Sequence, residues 1–185
     1  KCVGILHDTK KLDSSFTQRI ISKKVKKYFV LNDALLPSDR DNDGIIIQSF
    51  YPIFFPQYKP VPVYKQDDIW IGIPGRVDYN RRNYDFLVNA LAEIKALHRV
   101  KFVIVGKVDR NNATGKRLYD RLEKSGQLGC FKLFHSFLEN RDFHSYLAAC
   151  DYIMPLLTLN TDYLKYKISG SFNLAFAHKK PMLCH

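Results

Sequence analysis

Residues 69–106 read IWIGIPGRVDYNRRNYDFLVNALAEIKALHRVKFVIVG, and their pattern predicts the fold of the larger part of the chain. Its first part, 69–77, is mostly apolar and β-branched, which indicates a strand. Residues 84–98 repeat their apolar side chains at helical spacing. Residues 100–106 are apolar almost without a break, as in a strand buried on both faces. A strand, a helix and a second strand joined by short links predict a parallel βαβ unit.

The same alternation continues along the rest of the chain. Further helices are predicted at 114–124, 139–149 and 169–178, and further strands at 130–138, 152–157 and 181–184. This pattern predicts an α/β fold, a Rossmann-like parallel sheet with helices on both faces. Ligands bind such sheets at the carboxyl ends of the strands, so functional residues are expected in the loops that follow them.

The chain before residue 69 predicts a smaller α/β piece and a linker. Four prolines between residues 52 and 62 exclude a helix there and mark a boundary. The predicted organisation is a small piece at 1–50, a proline-rich linker at 51–68 and a larger lobe at 69–185.

Composition narrows the class of protein. Of the 185 residues, 46% are hydrophobic, which is enough for a buried core. No apolar run approaches the length of about 20 residues that spans a bilayer. The four cysteines form no CxxC pair, which predicts reduced thiols in a cytoplasmic protein and no zinc site. The net charge of +11 favours an anionic partner, whether phosphates, nucleic acid or an acidic membrane surface.

Two clusters are candidates for binding phosphate. Gly75 and Arg76 directly follow the first strand of the larger lobe, with Arg81 and Arg82 close behind. A glycine permits a sharp turn at a strand end, and arginines bind diphosphates with forked, charge-assisted hydrogen bonds. The alternative is a solvated basic loop.

The second cluster stands where the helix at 169–178 begins. Unpaired N–H groups and the positive end of the helix dipole suit a phosphate at Ser169, Gly170 and Ser171. Gly170 leaves the backbone accessible, and Lys167 adds a positive charge. The alternative is an ordinary serine cap.

Four segments occur in an order that resembles the C-terminal lobe of GT-B glycosyltransferases, in particular the large family of retaining enzymes that build surface glycans. The segments are IPGRVDYNRRNYDFLVNAL at 73–91, VKFVIVG at 100–106, FHSYLAACDYIMPL at 143–156 and SGSFNLAFAHKKPML at 169–183. The resemblance extends to ILHD, where His7 matches the family's catalytic histidine, which reaches the donor sugar. The chain would then contain the end of the acceptor-side lobe and most of the donor-binding lobe.

The resemblance implies transfer of a sugar from a UDP- or GDP-linked donor to a glycan or lipid-linked acceptor in surface polysaccharide synthesis. It implies no cofactor and no metal, with the diphosphate held by the two clusters above. The positive charge also favours peripheral contact with an acidic membrane surface on the cytoplasmic side, and no nucleic acid is expected.

The sequence departs from the family at one important position. Leu174 stands where the family carries its ribose-binding glutamate, and Asp162 is the acid nearest to the other conserved glutamate. A catalytically inactive GT-B-like binding protein is therefore an alternative. A basic nucleic-acid-binding module is another, although it lacks a helix-turn-helix, RRM or zinc signature. Residues 39–44 begin like a calcium loop, but Phe50 replaces the required twelfth-position glutamate.

Overall fold

The computed structural model describes residues 2–37, 44–94, 99–158 and 166–184. These residues form two compact units. The first contains 2–37, 44–53 and 166–170, and the second contains 54–94, 99–158 and 171–184. The calcium-like segment and Asp162 lie outside the described residues. No helix in the described part of the chain combines the length and hydropathy needed to cross a bilayer.

The first unit is a three-stranded parallel sheet in the order β1-β2-β3. Its elements are β1 (Gly4–Leu6), α1 (Lys11–Ser14), α2 (Phe16–Lys24), β2 (Lys27–Val30), a 3-10 turn (Asp33–Leu35) and β3 (Ile46–Ser49). Leu6, Tyr28 and Val30 form its core with the neighbouring Leu12 and Leu35.

Residues 166–170 belong to this unit, which differs from the predicted lobe of 69–185. The backbone N–H of Thr9 donates to the carbonyl of Tyr166 at 3.3 Å, and Lys167 pairs with Asp8 at 3.0 Å. Ile168 packs against the core of the same sheet. These contacts join segments that are far apart in sequence, so the strand and helix pattern gives no sign of them.

The second unit contains the predicted Rossmann-like sheet. Its elements are β4 (Ile69–Pro74), α3 (Tyr84–Glu93), β5 (Val100–Lys107), α4 (Ala113–Lys124), a 3-10 turn (Leu128–Cys130), β6 (Phe131–Phe134), α5 (Asn140–Ala149), β7 (Tyr152–Ile153) and α6, which begins at the unit boundary (Gly170–Ala177). The strands are parallel in the order β6-β5-β4-β7. Met182 adds a single parallel bridge to Ile153, where the fifth strand was predicted.

Side chains of β4 and β5 alternate between two cores, as the period of a strand requires. Ile73 and Ile104 point to one core with residues of α3 and α4, including Leu118. Trp70 and Val103 point to the other, with residues of α5 and α6. Helices therefore cover both faces of the sheet, which confirms the predicted fold class.

The strand order places a topological switch between β4 and β7, because the chain first runs from β4 towards β6 and then returns to the other side of β4. A crevice opens at such a switch outside the carboxyl ends of the strands. The fold thus directs the search for a site to the loops after β4, β5 and β7.

Candidate functional site

A sharp turn at Gly75 ends β4. Gly75 has φ +99°, a conformation that L side chains rarely adopt. Its N–H donates to the carbonyl of Val105 at 2.8 Å, which holds the turn against β5. A Cβ at Gly75 would also lie 3.0 Å from the Nη2 atom of Arg82. The backbone conformation therefore favours glycine here, and the guanidinium of Arg82 would have to shift to admit any side chain.

Gly106, near the end of β5, packs directly against this turn. A Cβ on Gly106 would lie 2.5 Å from the carbonyl oxygen of Gly75 and 3.0 Å from the backbone nitrogen of Arg76. The close approach of the two strand ends thus depends on two glycines, one on each strand.

Arg82 is buried beneath the turn, a different position from the one expected of a phosphate ligand. Its guanidinium donates to the carbonyl of Pro74 and, at 3.3 Å, to the carbonyl of Arg76. Side-chain hydrogen bonds to backbone carbonyls fix the path of the loop, so the observed contacts of Arg82 position Arg76.

The loop after β4 is also tied to the segment that follows β7. The N–H of Asn83 donates to the carbonyl of Leu156 at 3.0 Å, and the N–H of Thr158 donates to the carbonyl of Arg81 at 3.1 Å. Leu156 has φ +50°, which is strained for a residue with a branched side chain. This turn ends β7 earlier than the predicted 152–157, because Leu156 redirects the chain towards the arginine loop.

A cavity of about 700 Å³ opens beside this turn, within the second unit. Backbone and side chains from the loops after β4 and β5 form its polar side, and residues at the start of α5 form its apolar side. Its lining includes Gly75, Arg76, Asp78, Gly106, Lys107, Asp109, Asn112, Thr114, Phe137, Leu138, Asn140 and Phe143. The cavity lies at the carboxyl ends of the strands, as the fold predicts.

Charges of both signs line the polar side. Lys107 and Asp109 form an ion pair at 2.7 Å. The hydrogen bond from Lys107 is the main reason that the pKa of Asp109 lies below its usual value, and the N–H of Asn111 contributes further. Asp109 stays ionised near neutral pH and offsets the charge of Lys107, which leaves Arg76 as the cation that is best placed for an anionic ligand on this side.

The start of α4 also borders the cavity. The side chain of Asn112 caps the helix by accepting from the N–H of Gly115 at 2.8 Å. A Cβ on Gly115 would lie 2.0 Å from the carbonyl oxygen of Asp109, so glycine allows the helix to approach the loop after β5. Thr114 presents a hydroxyl at the same edge. A capped helix start beside arginine is a favourable environment for phosphate oxygens.

The apolar side of the cavity is suited to a flat or hydrophobic group. Phe137 is 77% exposed, and Leu138 and Phe143 lie beside it along the lining. An exposed aromatic side chain next to a polar recess can stack against a ring while the polar groups bind phosphate.

The structure distributes the other predicted residues between the two units. Arg81 is half-buried in the loop after β4. His7 is exposed just after β1, and Lys167 pairs with Asp8 beside it. Ser169 and Ser171 are buried at either side of Gly170, where α6 begins as predicted. Their role in one diphosphate site stays a prediction.

Sequence reasoning missed most of the residues around α4 that line the cavity. Asn112 is not among the residues predicted for the site, yet it caps a helix at the cavity. The signal that could have identified it is the Asn-x-x-Gly spacing before a helix, together with its place after the second strand.

The chain is similar to known proteins in its fold. No protein-family model matches the chain, and no curated protein matches it in sequence. A solved glycosyltransferase from Rickettsia africae ESF-5 superposes with a TM-score of 0.54 at 16% identity, over 82% of this chain and 44% of the other. An E. coli trehalose-6-phosphate protein, solved with UDP-2-fluoro glucose bound, superposes with a TM-score of 0.57 at 11% identity, over 95% and 50%.

The apo structure of OtsA superposes with a TM-score of 0.50 at 12% identity, over 82% of this chain and 45% of the other. The chain therefore spans about half of the length of the solved proteins it resembles. At these identities the likeness concerns architecture: the chain has the Rossmann-like GT-B fold that is found in glycosyltransferases.

Proposed function

We propose that this chain forms the nucleotide-sugar-binding part of a glycosyltransferase. The observation that carries the proposal is the cavity at the carboxyl ends of β4 and β5, where Arg76 after the Gly75 turn and the start of α4 border one recess. A UDP-linked sugar is bound in one of the structures with the same fold, which supports a donor of this class.

The proposed chemistry is stabilisation of a leaving diphosphate. As the glycosidic bond breaks, negative charge grows on the phosphate oxygens, and pre-positioned donors that match it lower the barrier. Arg76 and the N–H groups at the start of α4 would supply these donors, so the proposal includes no metal ion. The acceptor would be a glycan or a lipid-linked glycan of a surface polysaccharide, with the enzyme on the cytoplasmic side and in peripheral contact with the membrane.

The resemblance to GT-B enzymes assigns His7 to catalysis, and this assignment is part of the proposal. It predicts that His7→Ala lowers turnover of the enzyme while UDP affinity stays the same.

Replacing Arg76 with alanine should weaken UDP binding by about 1.5–3 kcal/mol, because a charge-assisted hydrogen bond to phosphate is lost. Isothermal titration calorimetry with UDP and GDP measures the change, with EDTA present to test the metal-free binding. Arg99→Ala is the matched control, since Arg99 is an exposed arginine just before the amino end of β5. Equal affinity in the Arg76 and Arg99 variants would remove Arg76 from the site, and Arg81→Ala would then test the next arginine.

The start of α6 is tested separately with Gly170→Val. A Cβ at Gly170 meets nothing within 4 Å, and valine has a slightly better helix propensity than glycine, so the stability of the fold should change by less than about 1 kcal/mol. A phosphate held by the N–H groups there would be obstructed, and UDP binding would be abolished. Ser169→Ala should cost about 0.5–2 kcal/mol of stability with or without such a phosphate, because the capping position is altered in both cases. Undiminished UDP affinity in a folded Gly170→Val protein would identify an ordinary cap.

A binding protein without transferase activity is the second candidate, and Leu174 favours it. Leu174 packs against the core formed by Trp70 and Leu147, at the position where the resemblance implies a ribose-binding glutamate. UDP binding without turnover of any nucleotide sugar would support this candidate. Tight binding of duplex DNA at moderate salt, without UDP binding, would contradict both candidates.

A further inference from the structure

A second cavity, of about 300 Å³, lies in the second unit apart from the candidate donor site. We call the segment 54–61 the strap, because it runs across α5 and the end of α6. The cavity is lined by Phe55, Pro56, Tyr58, Pro60, Arg141, His144, Ser145, Ala148, Ala177, His178 and Lys179. Asn140 and Phe143 of α5 line the first cavity, whereas Arg141 and His144 line the second, so one helix borders both.

Two histidines form the polar centre of this cavity. The Nδ1 atom of His144 lies 3.0 Å from the Nε2 atom of His178, and the rings stack with centroids 5.2 Å apart. One nitrogen of such a pair donates its proton to the other, which accepts it. The pair can take up one further proton and keep its hydrogen bond, but a second proton would place two cations in contact.

The strap is attached to this centre. Tyr58 stacks on His144 with ring centroids 5.6 Å apart. The N–H of Val61 donates to the hydroxyl of Ser145 at 2.9 Å. The aromatic and proline side chains of the strap therefore form a preformed apolar wall over the histidine pair.

Cations surround the opening. Arg141 of α5 and Lys179 of the turn after α6 line the cavity, and Lys180 follows directly. Lys179 has φ +53°, the left-handed conformation that helix ends usually assign to glycine. A residue with a side chain pays about 1–2 kcal/mol for this conformation. This conformation closes α6, because the N–H of Lys180 donates to the carbonyl of Ala175 at 2.9 Å, and it leaves the Lys179 side chain at the cavity.

We propose that this second cavity binds a small organic phosphate with an apolar body. Arg141 and Lys179 would bind the phosphate oxygens, the imidazole pair would supply a proton to them, and the strap would pack against the apolar body. Two sources share this chemistry, a soluble phosphate ester and the headgroup of an anionic lipid.

The protonation state of the His144–His178 pair also favours binding of a phosphate in this cavity. Burial lowers the pKa of His144, and burial with the neighbouring His144 and Lys180 lowers the pKa of His178 to about 4. The groups that face the pair are Arg141, Lys179, Lys180 and Tyr58, none of them anionic, so the pair is neutral near pH 7. A bound dianion stabilises the protonated pair and raises its pKa. Binding therefore takes up a proton and strengthens as the pH falls from about 8 towards about 6.5, above the second phosphate pKa near 6.

Calorimetry with phenyl phosphate on the intact chain tests the proposal. Inorganic phosphate, which lacks the ring, and benzyl alcohol, which lacks the phosphate, serve as control ligands. Phenyl phosphate should bind more tightly than either control ligand.

Lys179→Gly and Arg141→Ala should each weaken phenyl phosphate binding at least tenfold, whereas Lys124→Ala on α4 should leave this binding unchanged. Glycine suits φ +53°, so Lys179→Gly should melt at a higher temperature, and its lost binding cannot come from unfolding. Titration in two buffers should show proton uptake that His178→Gln removes.

Vesicles containing phosphatidic acid distinguish the two sources, because co-sedimentation that Lys179→Gly abolishes identifies a lipid headgroup. Binding of phenyl phosphate alone identifies a soluble ester. The proposal is overturned if millimolar phenyl phosphate does not bind at pH 6.5, or if the Lys179 and Lys124 variants bind it equally. Displacement by UDP would also overturn it, since the probe would then occupy the donor cavity and the proposed transferase function would stand unaffected.

Discussion

Replacing Gly106 with alanine should destabilise the second unit and remove UDP binding together. The new Cβ would lie 2.5 Å from the carbonyl oxygen of Gly75, a backbone atom that no side-chain rotation can move aside. Forced overpacking of this kind costs about 1–3 kcal/mol. The turn must shift to relieve the overlap, and Arg76 shifts with it. Thermal unfolding and UDP calorimetry on the same protein measure the two effects.

Gly129→Ala is the matched control for this prediction. A Cβ there meets nothing within 4 Å, so the same chemical change is made where space is open. Its melting temperature and UDP affinity should remain close to those of the original chain. A Gly106→Ala protein that binds UDP as tightly as the Gly129→Ala protein would show that the Gly75 turn does not form the donor site.

The arrangement of the second unit could be predicted from the sequence because its strands are buried on both faces. The run before Gly106 is apolar without alternation, and β5 occupies Val100–Lys107, within one residue of the predicted strand. Helical spacing between such strands leaves few alternatives, since a parallel pair needs a crossover helix. The first strand of this unit was predicted over 69–77, whereas β4 ends at Pro74. Gly75 forms the turn there because glycine tolerates its positive φ.

Features that depend on tertiary contacts could not be predicted in this way. Arg81 and Arg82 are adjacent arginines that the sequence does not distinguish, yet the side chain of Arg82 turns inward and donates to the carbonyl of Pro74. An amphipathic helix normally buries its apolar side, but in α2 Phe16 is 76% exposed. Gln18 instead faces the sheet and donates to the hydroxyl of Tyr28 at 2.9 Å. In both cases the buried side chain makes hydrogen bonds to groups outside its own helix or turn, and the apolar spacing of the sequence does not record them.

The candidate site shows the same limit. The glycine and arginine after β4 were predictable because they are local to one strand end. The placement of the Asn112 cap and Thr114 at the cavity was not predictable, because it depends on how closely α4 approaches the loop before it. That approach is set by Gly115, whose small size matters only once Asp109 is beside it. The spacing of residues along the chain predicts local geometry. The shape of a cavity also depends on which loops come into contact, and spacing does not predict that.

Alkaline pH should destabilise the fold, and Tyr84 should account for a large part of the loss. Tyr84 is fully buried, and its hydroxyl has no hydrogen-bond partner among the described residues. Burial is the main reason that its pKa rises to about 12, with Arg82 acting in the opposite direction. An unfolded tyrosine ionises near pH 10. Stability is therefore unaffected by this group below about pH 10 and falls as the pH rises towards 12, by about 2–3 kcal/mol in total.

Tyr84→Phe removes both the ionisable group and the buried hydroxyl. We expect it to raise the free energy of unfolding at pH 7 by about 1 kcal/mol, because an unsatisfied polar group leaves the core. Urea unfolding at pH 8, 10 and 11.5 should show a shallower decline than in the original chain. A decline remains, because burial also raises the pKa values of Tyr79 and Cys150 to about 12. Tyr64→Phe, at a side chain that is 83% exposed, should leave the whole profile unchanged. Parallel profiles for the Tyr84 and Tyr64 variants would mean that the Tyr84 hydroxyl reaches water, and the burial of Tyr84 at the start of α3 would then be wrong.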